Sequence, residues 1–278
     1  MAALHVNSTG NGEPLVMLHG WGMHGGIWGS AAEQLAQHYR VHCVDMPGYG
    51  YSKEKGEGRR EKGNGGAEVS PLPIPPSSFS LDSIVDQLSA QFSEPVALCG
   101  WSLGGQVALR WAQLHPAQVK KLVLVATTPC FVQRADWRCA VAAEVLQEFA
   151  NAMTQNYPLT LKRFIALQVR GSENERELLQ VLQGRMANSR EPDMAALQGG
   201  LEILRDTDLR KELAQIVQAA LVIAGERDML TPRAASAYLT KELPNAHLAS
   251  IKGAAHAPFL SHPQIFVEHI TSFLHERI

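Results

Sequence analysis

The 278-residue chain lacks any apolar run near the roughly 18 residues that a membrane span requires. Its first residues, MAALHVNSTGNGEP, lack both the cationic start and the apolar stretch of an export signal, so a protein kept off the membrane and in the cytoplasm is expected. An excess of one charge is also missing. Lys and Arg number 25 against 27 Asp and Glu, a formal charge of −2, which argues against the wide basic surface that nucleic acid demands. There are only four cysteines and no C-x-x-C spacing. Cys43 and Cys99 fall inside apolar runs, where thiols act as small core residues, as suits a reducing compartment. No metal and no cofactor are expected, and no internal repeat is visible. What is present is 45% apolar and 19% charged residues, a balance that suits one globular domain carrying an inserted subdomain.

Short β-rich apolar runs alternate with longer helical patterns. PLVMLH (14–19), VHCVDM (41–46), PVALCG (95–100), KLVLVA (121–126), ALVIAG (220–225) and HLASI (247–251) read as strands, and mostly continuous apolarity marks them as buried on both faces. Residues 31–39, 81–92, 104–114, 232–242 and 263–276 read as covering helices, with Pro232 suited to a first turn. The expected class is α/β, a mainly parallel central sheet with helices on both faces. Two stretches break the alternation. Residues 53–78 are rich in Gly, Pro and charge and hold too little apolar surface to offset the entropy of ordering, so a mobile surface loop is expected. Residues 130–210 are helical in pattern without a convincing strand, which makes them an inserted helical lid and leaves 1–129 and 211–278 as the core.

The sharpest signal is Gly100-Trp101-Ser102-Leu103-Gly104-Gly105, directly after the run PVALC and directly before the helical pattern QVALRWAQLH. A G-x-S-x-G between strand and helix makes a tight turn, and its glycines leave room for a strained serine with an exposed Oγ. Ser102 is thereby a candidate nucleophile. The helix start beyond it leaves the Leu103 amide free to donate to a developing oxyanion. The competing reading is a glycine-rich turn holding an ordinary serine, which the bare pattern allows and the strand-then-helix placement disfavours.

A serine hydroxyl needs a base to take its proton and an acid to orient that base. In this strand-turn-helix arrangement the order along the chain is serine, acid, histidine, which leaves His115, His247, His256, His262, His269 and His275. His256, in KGAAHAPF just beyond HLASI, has small neighbours and a late-strand position; His115 and His262 stand beside prolines at helix ends, where capping is the expected role. The acid belongs at the carboxyl end of an earlier strand. Asp228 in ALVIAGERDML meets that, against Asp206 and Asp208 in the polar LRDTDLRK and Glu226 on the same loop. A second oxyanion donor should come from His19-Gly20-Trp21-Gly22, where the Trp21 amide is the candidate and its indole would line an acyl pocket. His19 is expected to brace this loop, and Asp45 in DMPGYGYS to accept backbone N–H bonds in a turn.

HGWG, DMPGYG, GWSLGG, GERDML and AAHAPF, in this order between about residues 14 and 275, resemble the motifs of α/β-hydrolases. More narrowly, GWSLGGQVAL, TTPCF (127–131), RFIALQ (163–168), GGLEIL (199–204) and AAHAPFLSHP (254–263) look like the family of esterases that act on pimeloyl-[acyl-carrier protein] methyl ester in biotin biosynthesis. The resemblance implies an α/β-hydrolase fold and a serine carboxylesterase that releases methanol from a pimeloyl methyl ester carried by acyl carrier protein. It also implies substrate contacts at Trp21, Ser102, Leu103, Phe164, Ile165, Ala166, Leu167, Gln168 and His256.

Residues 161–190 hold six basic and three acidic side chains. Arg163 and Arg170, seven apart, would share one helix face on which an acidic carrier protein could dock; a merely solvated face explains the same charges equally well. A monomer is expected. Two other functions stay open: a broad carboxylesterase of short acyl esters, and a non-catalytic binding protein on a hydrolase fold. Carbon–carbon hydrolase and lactonase chemistry share this machinery, whereas an epoxide hydrolase or haloalkane dehalogenase would carry Asp at position 102.

Overall fold

One seven-stranded sheet forms, comprising β1 (Val6–Thr9), β2 (Pro14–Leu18), β3 (Arg40–Val44), β4 (Val96–Trp101), β5 (Val119–Val125), β6 (Ala219–Gly225) and β7 (Ala246–Ile251), with apolar runs buried on both sides at its centre. The computed structural model describes residues 4–52 and 79–276, so the segment 53–78, expected as a mobile loop, lies outside the described residues. The spatial order is β1-β3-β2-β4-β5-β6-β7, with β1 antiparallel at one edge and every other pair parallel. The expected parallel α/β class is what forms. β1 was not legible as a strand: VNST is short and largely exposed, and it gains its place by pairing with β3.

Side chains alternate between the two faces of the sheet. Val16, Leu18, Leu98, Leu122 and Leu124 enter one core, while Leu15, Met17, Cys99, Val123 and Val125 enter the other. The covering helices are α1 (Ser30–Leu35), α2 (Leu81–Gln91) and α3 (Leu103–Leu114), followed after β5 by α4 (Ala143–Gln155), α5 (Tyr157–Val169), α6 (Glu175–Ala187) and α7 (Met194–Asp206), then α8 (Arg233–Glu242), α9 (Pro258–Ser261) and α10 (Pro263–His275). Helices α2, α3 and α8 supply the first core with residues such as Ile84, Val107 and Leu239; α1 and α10 supply the second with Leu35 and Phe266. The start of α2 is fixed by reciprocal bonds between Ser80 and Ser83, a capping box worth about 1 kcal/mol. Pro232 falls one residue before α8 rather than inside its first turn.

Helices α4 to α7 all lie between β5 and β6, on the side where the strands end. Between residues 130 and 210 the backbone makes only isolated bridges, such as Cys130 with Asp208. Helix α7 presses its glycines against the core: a Cβ at Gly200 would come within 2.6 Å of the Trp21 ring, and one at Gly199 within 2.6 Å of Phe79. Among the described residues, no helix is long and apolar enough to cross a membrane.

Candidate active site

Ser102 is the single residue between the end of β4 and the start of α3, with φ 55° and ψ −116°. A side chain in that region is strained by roughly 1–3 kcal/mol, and it persists because its surroundings leave no alternative. The Ser102 amide donates to Val125 O at 3.0 Å, and its carbonyl accepts from Gly105 N at 2.9 Å and from the Thr127 hydroxyl at 2.6 Å. Glycine is obligatory at two of the flanking positions: a Cβ at Gly100 would stand 2.3 Å from Gly104 O, and one at Gly104 2.3 Å from Leu18 O.

His256 lies on the loop between β7 and α9, and Asp228 on the loop after β6. Parallel pairing of β6 with β7 brings these two strand ends together. Asp228 Oδ2 accepts from His256 Nδ1 at 2.8 Å, and both side chains are buried. That bond places the imidazole proton on Nδ1 and leaves Nε2 as an acceptor. The carboxylate is held further by the Leu230 and Thr231 amides on Oδ1, at 2.8 and 3.0 Å, and by the Thr231 hydroxyl on Oδ2 at 2.6 Å. The rival acids are occupied elsewhere, Asp206 with Arg205 and Asp208 with Arg210, each at 2.7 Å, and the Glu226 side chain is exposed. Among the rival histidines, His115 ends α3, and His262 precedes α10 with its ring 2.9 Å from Ser261 Oγ.

The link between serine and histidine runs through Trp101. Its indole Nε1 donates to His256 O at 2.8 Å, and its ring lies 5.7 Å from the imidazole. Among the described residues no hydrogen bond joins Ser102 Oγ to His256.

The loop after β2 closes the opposite side. Gly20 is so near the candidate nucleophile that an added Cβ would lie 3.3 Å from Ser102 Cβ. Among the described residues the Trp21 and Leu103 amides donate to no backbone or side-chain acceptor outside a helix or strand, which leaves both available to an incoming oxygen. His19 braces this loop as expected. Its ring bonds Gly20 O through Nδ1 at 2.8 Å and accepts from the Met46 amide through Nε2 at 3.0 Å. Burial pushes its pKa down to about 4, so it stays neutral. Asp45 does accept backbone bonds, from Gly25 at 2.6 Å and Tyr51 at 2.8 Å, and also takes His5 Nδ1 at 3.0 Å. Burial pushes the Cys43 thiol up to about 12, an inert core group.

The Trp21 indole is buried, with its edge against Phe164 and Phe149 at 4.8 and 5.4 Å, and its Nε1 donates to Leu197 O of α7 at 2.9 Å. Phe149 had no signal in the sequence beyond helical periodicity. In α5, Ile165 and Gln168 are buried and Phe164, Ala166 and Leu167 half-buried; Gln168 Nε2 bonds back to Phe164 O at 3.0 Å. Arg163 is exposed on α5, but Arg170 stands beyond the helix in extended backbone, so the shared-face argument for the pair fails. A cavity of about 780 Å³ opens between α4 and α7 over Leu146, Met153, Leu197 and Leu201. No triad candidate lines it; Leu197, which holds Trp21, connects the two regions. No group of three or more His, Cys, Asp or Glu is placed to hold a metal among the described residues.

Comparison with known proteins agrees with the fold. A family model described as the alpha/beta hydrolase fold matches residues 13–263. The chain is 41% identical over 267 residues to a pimeloyl-[acyl-carrier protein] methyl ester esterase of Nitrosomonas europaea, covering 96% of this chain and 98% of that protein. It is 37% identical to a protein of the same name from Nitrosospira multiformis, covering 98% of each. Among solved structures, an esterase from Exiguobacterium antarcticum superposes with a TM-score of 0.83 at 24% identity over 98% of this chain and 96% of that one. An enol-lactonase from Burkholderia xenovorans superposes with a TM-score of 0.80 at 20% identity, covering 98% and 96%. These two show a common fold.

Proposed function

The chain belongs to the α/β-hydrolase family, and from that premise we propose that it is a serine esterase hydrolysing the methyl ester of pimeloyl-[acyl-carrier protein] to methanol and pimeloyl-[acyl-carrier protein]. The observation that carries the reading is the extent of the likeness. It spans the inserted helices as well as the sheet, and those helices pack on the loop that adjoins Ser102, with Leu161 and Leu197 beside Gly22 and Gly200 against Trp21.

In the mechanism, Ser102 Oγ attacks the ester carbonyl while its proton passes to His256 Nε2, and Asp228 stabilises the imidazolium so formed. The Trp21 and Leu103 amides take the oxyanion, helped by the positive end of α3. His256 returns the proton to the leaving methoxide, which departs as methanol, and water repeats the sequence on the acyl-enzyme. Helices α4 to α7 act as the lid, with Phe164 to Gln168 facing the acyl chain. Arg163, and Arg170 from its separate position beyond α5, offer positive charge to an acidic carrier protein. The enzyme works as a monomer in the cytoplasm.

Ser102→Ala should lower kcat by roughly four to six orders of magnitude without unfolding the protein; activity near wild type removes Ser102 from the mechanism. Substrate choice is tested by kcat/KM for the carrier-bound and free methyl esters, in wild type and Arg163→Ala. A drop for the carrier-bound ester alone supports docking. Equal use of both esters, unmoved by the substitution, leaves a broad carboxylesterase of short acyl esters. Failure of Ser102 to react with a fluorophosphonate in the folded protein points instead to a non-catalytic binding protein.

A further inference from the structure

Among the described residues only two side chains bond the Asp228 carboxylate: His256 and Thr231. We propose that Thr231 is a positioning residue for the Asp228–His256 pair, holding Oδ2 in the one orientation in which it keeps the His256 ring aimed as base. This rests on reading Ser102, His256 and Asp228 as a triad.

A free carboxylate turns about its Cβ–Cγ bond and offers about four lone-pair sites. Here all are used. Two amides hold Oδ1, while the Thr231 hydroxyl at 2.6 Å and His256 Nδ1 at 2.8 Å share Oδ2. The hydroxyl is buried, and its 3.5 Å separation from Nδ1 makes it a poor competitor for the imidazole proton. It therefore donates to the carboxylate. Loss of the hydroxyl frees one site on Oδ2, so the carboxylate can turn about Cβ–Cγ and the imidazole loses its fixed aim.

Among the described residues, no other side chain holds the Asp228 carboxylate. On the same loop Glu226 is exposed, and Arg227 turns away to Glu173 at 3.7 Å and to Gly171 O at 3.1 Å. Lys252, beyond β7, is exposed, and α9 carries no charge. From β4 the neighbour is the neutral Trp101, and beyond Gly20 the ring of His19 stays neutral. Thr231 directly precedes Pro232 at the head of α8, so the experiment separates positioning of the pair from support of the helix start.

The full-length enzyme is compared with Thr231→Val, which keeps the shape and removes the donor, and with Thr231→Ser, which keeps the donor. A soluble methyl ester serves as substrate, and kcat, KM and thermal stability are measured. Thr231→Val should lose about tenfold in kcat with KM within about twofold; Thr231→Ser should restore kcat. A kcat equal to wild type, a loss carried by KM, or a loss that serine does not reverse overturns the assignment. Thr231→Ala gives the same reading if the valine variant does not fold. Ser102→Ala assayed in parallel keeps the two questions apart: retained activity there sinks the triad itself, whereas an unchanged kcat in Thr231→Val with Ser102 essential sinks only the role of Thr231.

Discussion

Trp101 occupies the variable position between Gly100 and the nucleophile, yet its indole is the hydrogen-bonded tie between the elbow and the histidine loop. Its ring also packs on Phe259 at 4.9 Å and lies 6.4 Å from Trp28, so Trp101→Phe would keep part of that packing, delete the N–H and leave a small void where the larger ring stood. The carbonyl of His256 would then be buried without a partner, at a cost of about 1–3 kcal/mol. We expect kcat to fall by roughly tenfold with little change in KM, because the base is displaced and the substrate wall is not. Steady-state kinetics with thermal melts checks this; unchanged kcat in a destabilised variant would mean that the bond supports folding alone. Ser102, Asp228 and His256 were legible because their chemistry constrains where they stand in a strand-helix alternation. Trp101, Thr231 and Phe149 were not, since each acts through a contact between segments distant in sequence and satisfies no local pattern.

Helix α6 is fastened at its carboxyl end to the loop that carries the candidate oxyanion donor. His24 accepts from the Gly26 amide through Nδ1 at 3.1 Å, so Nε2 carries the proton and donates to Arg185 O at 3.2 Å. Arg185 reciprocates, its Nη1 donating to Ile27 O at 2.6 Å while the guanidinium lies over Gly29, where an added Cβ would fall 2.4 Å from Cζ. Arg185→Ala removes one half-buried charged donor and should free α6 by about 1–2 kcal/mol. Hydrogen exchange across 175–187 would then quicken by roughly tenfold or more, with α3 unchanged; equal protection in both proteins would show that packing alone holds the helix. At this scale the sequence erred at α5 for a readable reason. Gly171, with φ 90°, stands just past Arg170 as a glycine past a helix end does, and it closes α5 at Val169 before the second arginine can join the first on one face. The central strands such as β2 and β4 were legible because burial on both faces writes an unbroken apolar run, and β7, half exposed at one edge, still interleaves apolar with polar residues, whereas β1 at the polar edge writes no such pattern.

Across the whole molecule, His19 couples the site to global stability. The ring is fully buried beneath the loop after β2, and desolvation outweighs the raising effects of its bond to Gly20 O and of Asp45. Its pKa falls from 6.5 to about 4 on folding, so the unfolded chain binds the proton more readily than the folded one. The sign follows directly. Stability from this group is complete above pH 6.5 and is lost as pH falls toward 4, by about 3 kcal/mol in all. Burial also lowers the pKa values of His24 and His42, so the wild-type slope in that window is not due to His19 alone. The informative quantity is therefore the difference between wild type and His19→Gln in urea unfolding at a series of pH values from 7 to 4. Wild type should lose stability more steeply, by up to one proton per molecule, while the variant starts lower at pH 7 because the Met46 amide loses its fitted acceptor. Parallel curves would mean that His19 takes up a proton in the folded protein above pH 6, and the picture of a neutral brace holding Gly20 against the nucleophile would then fail.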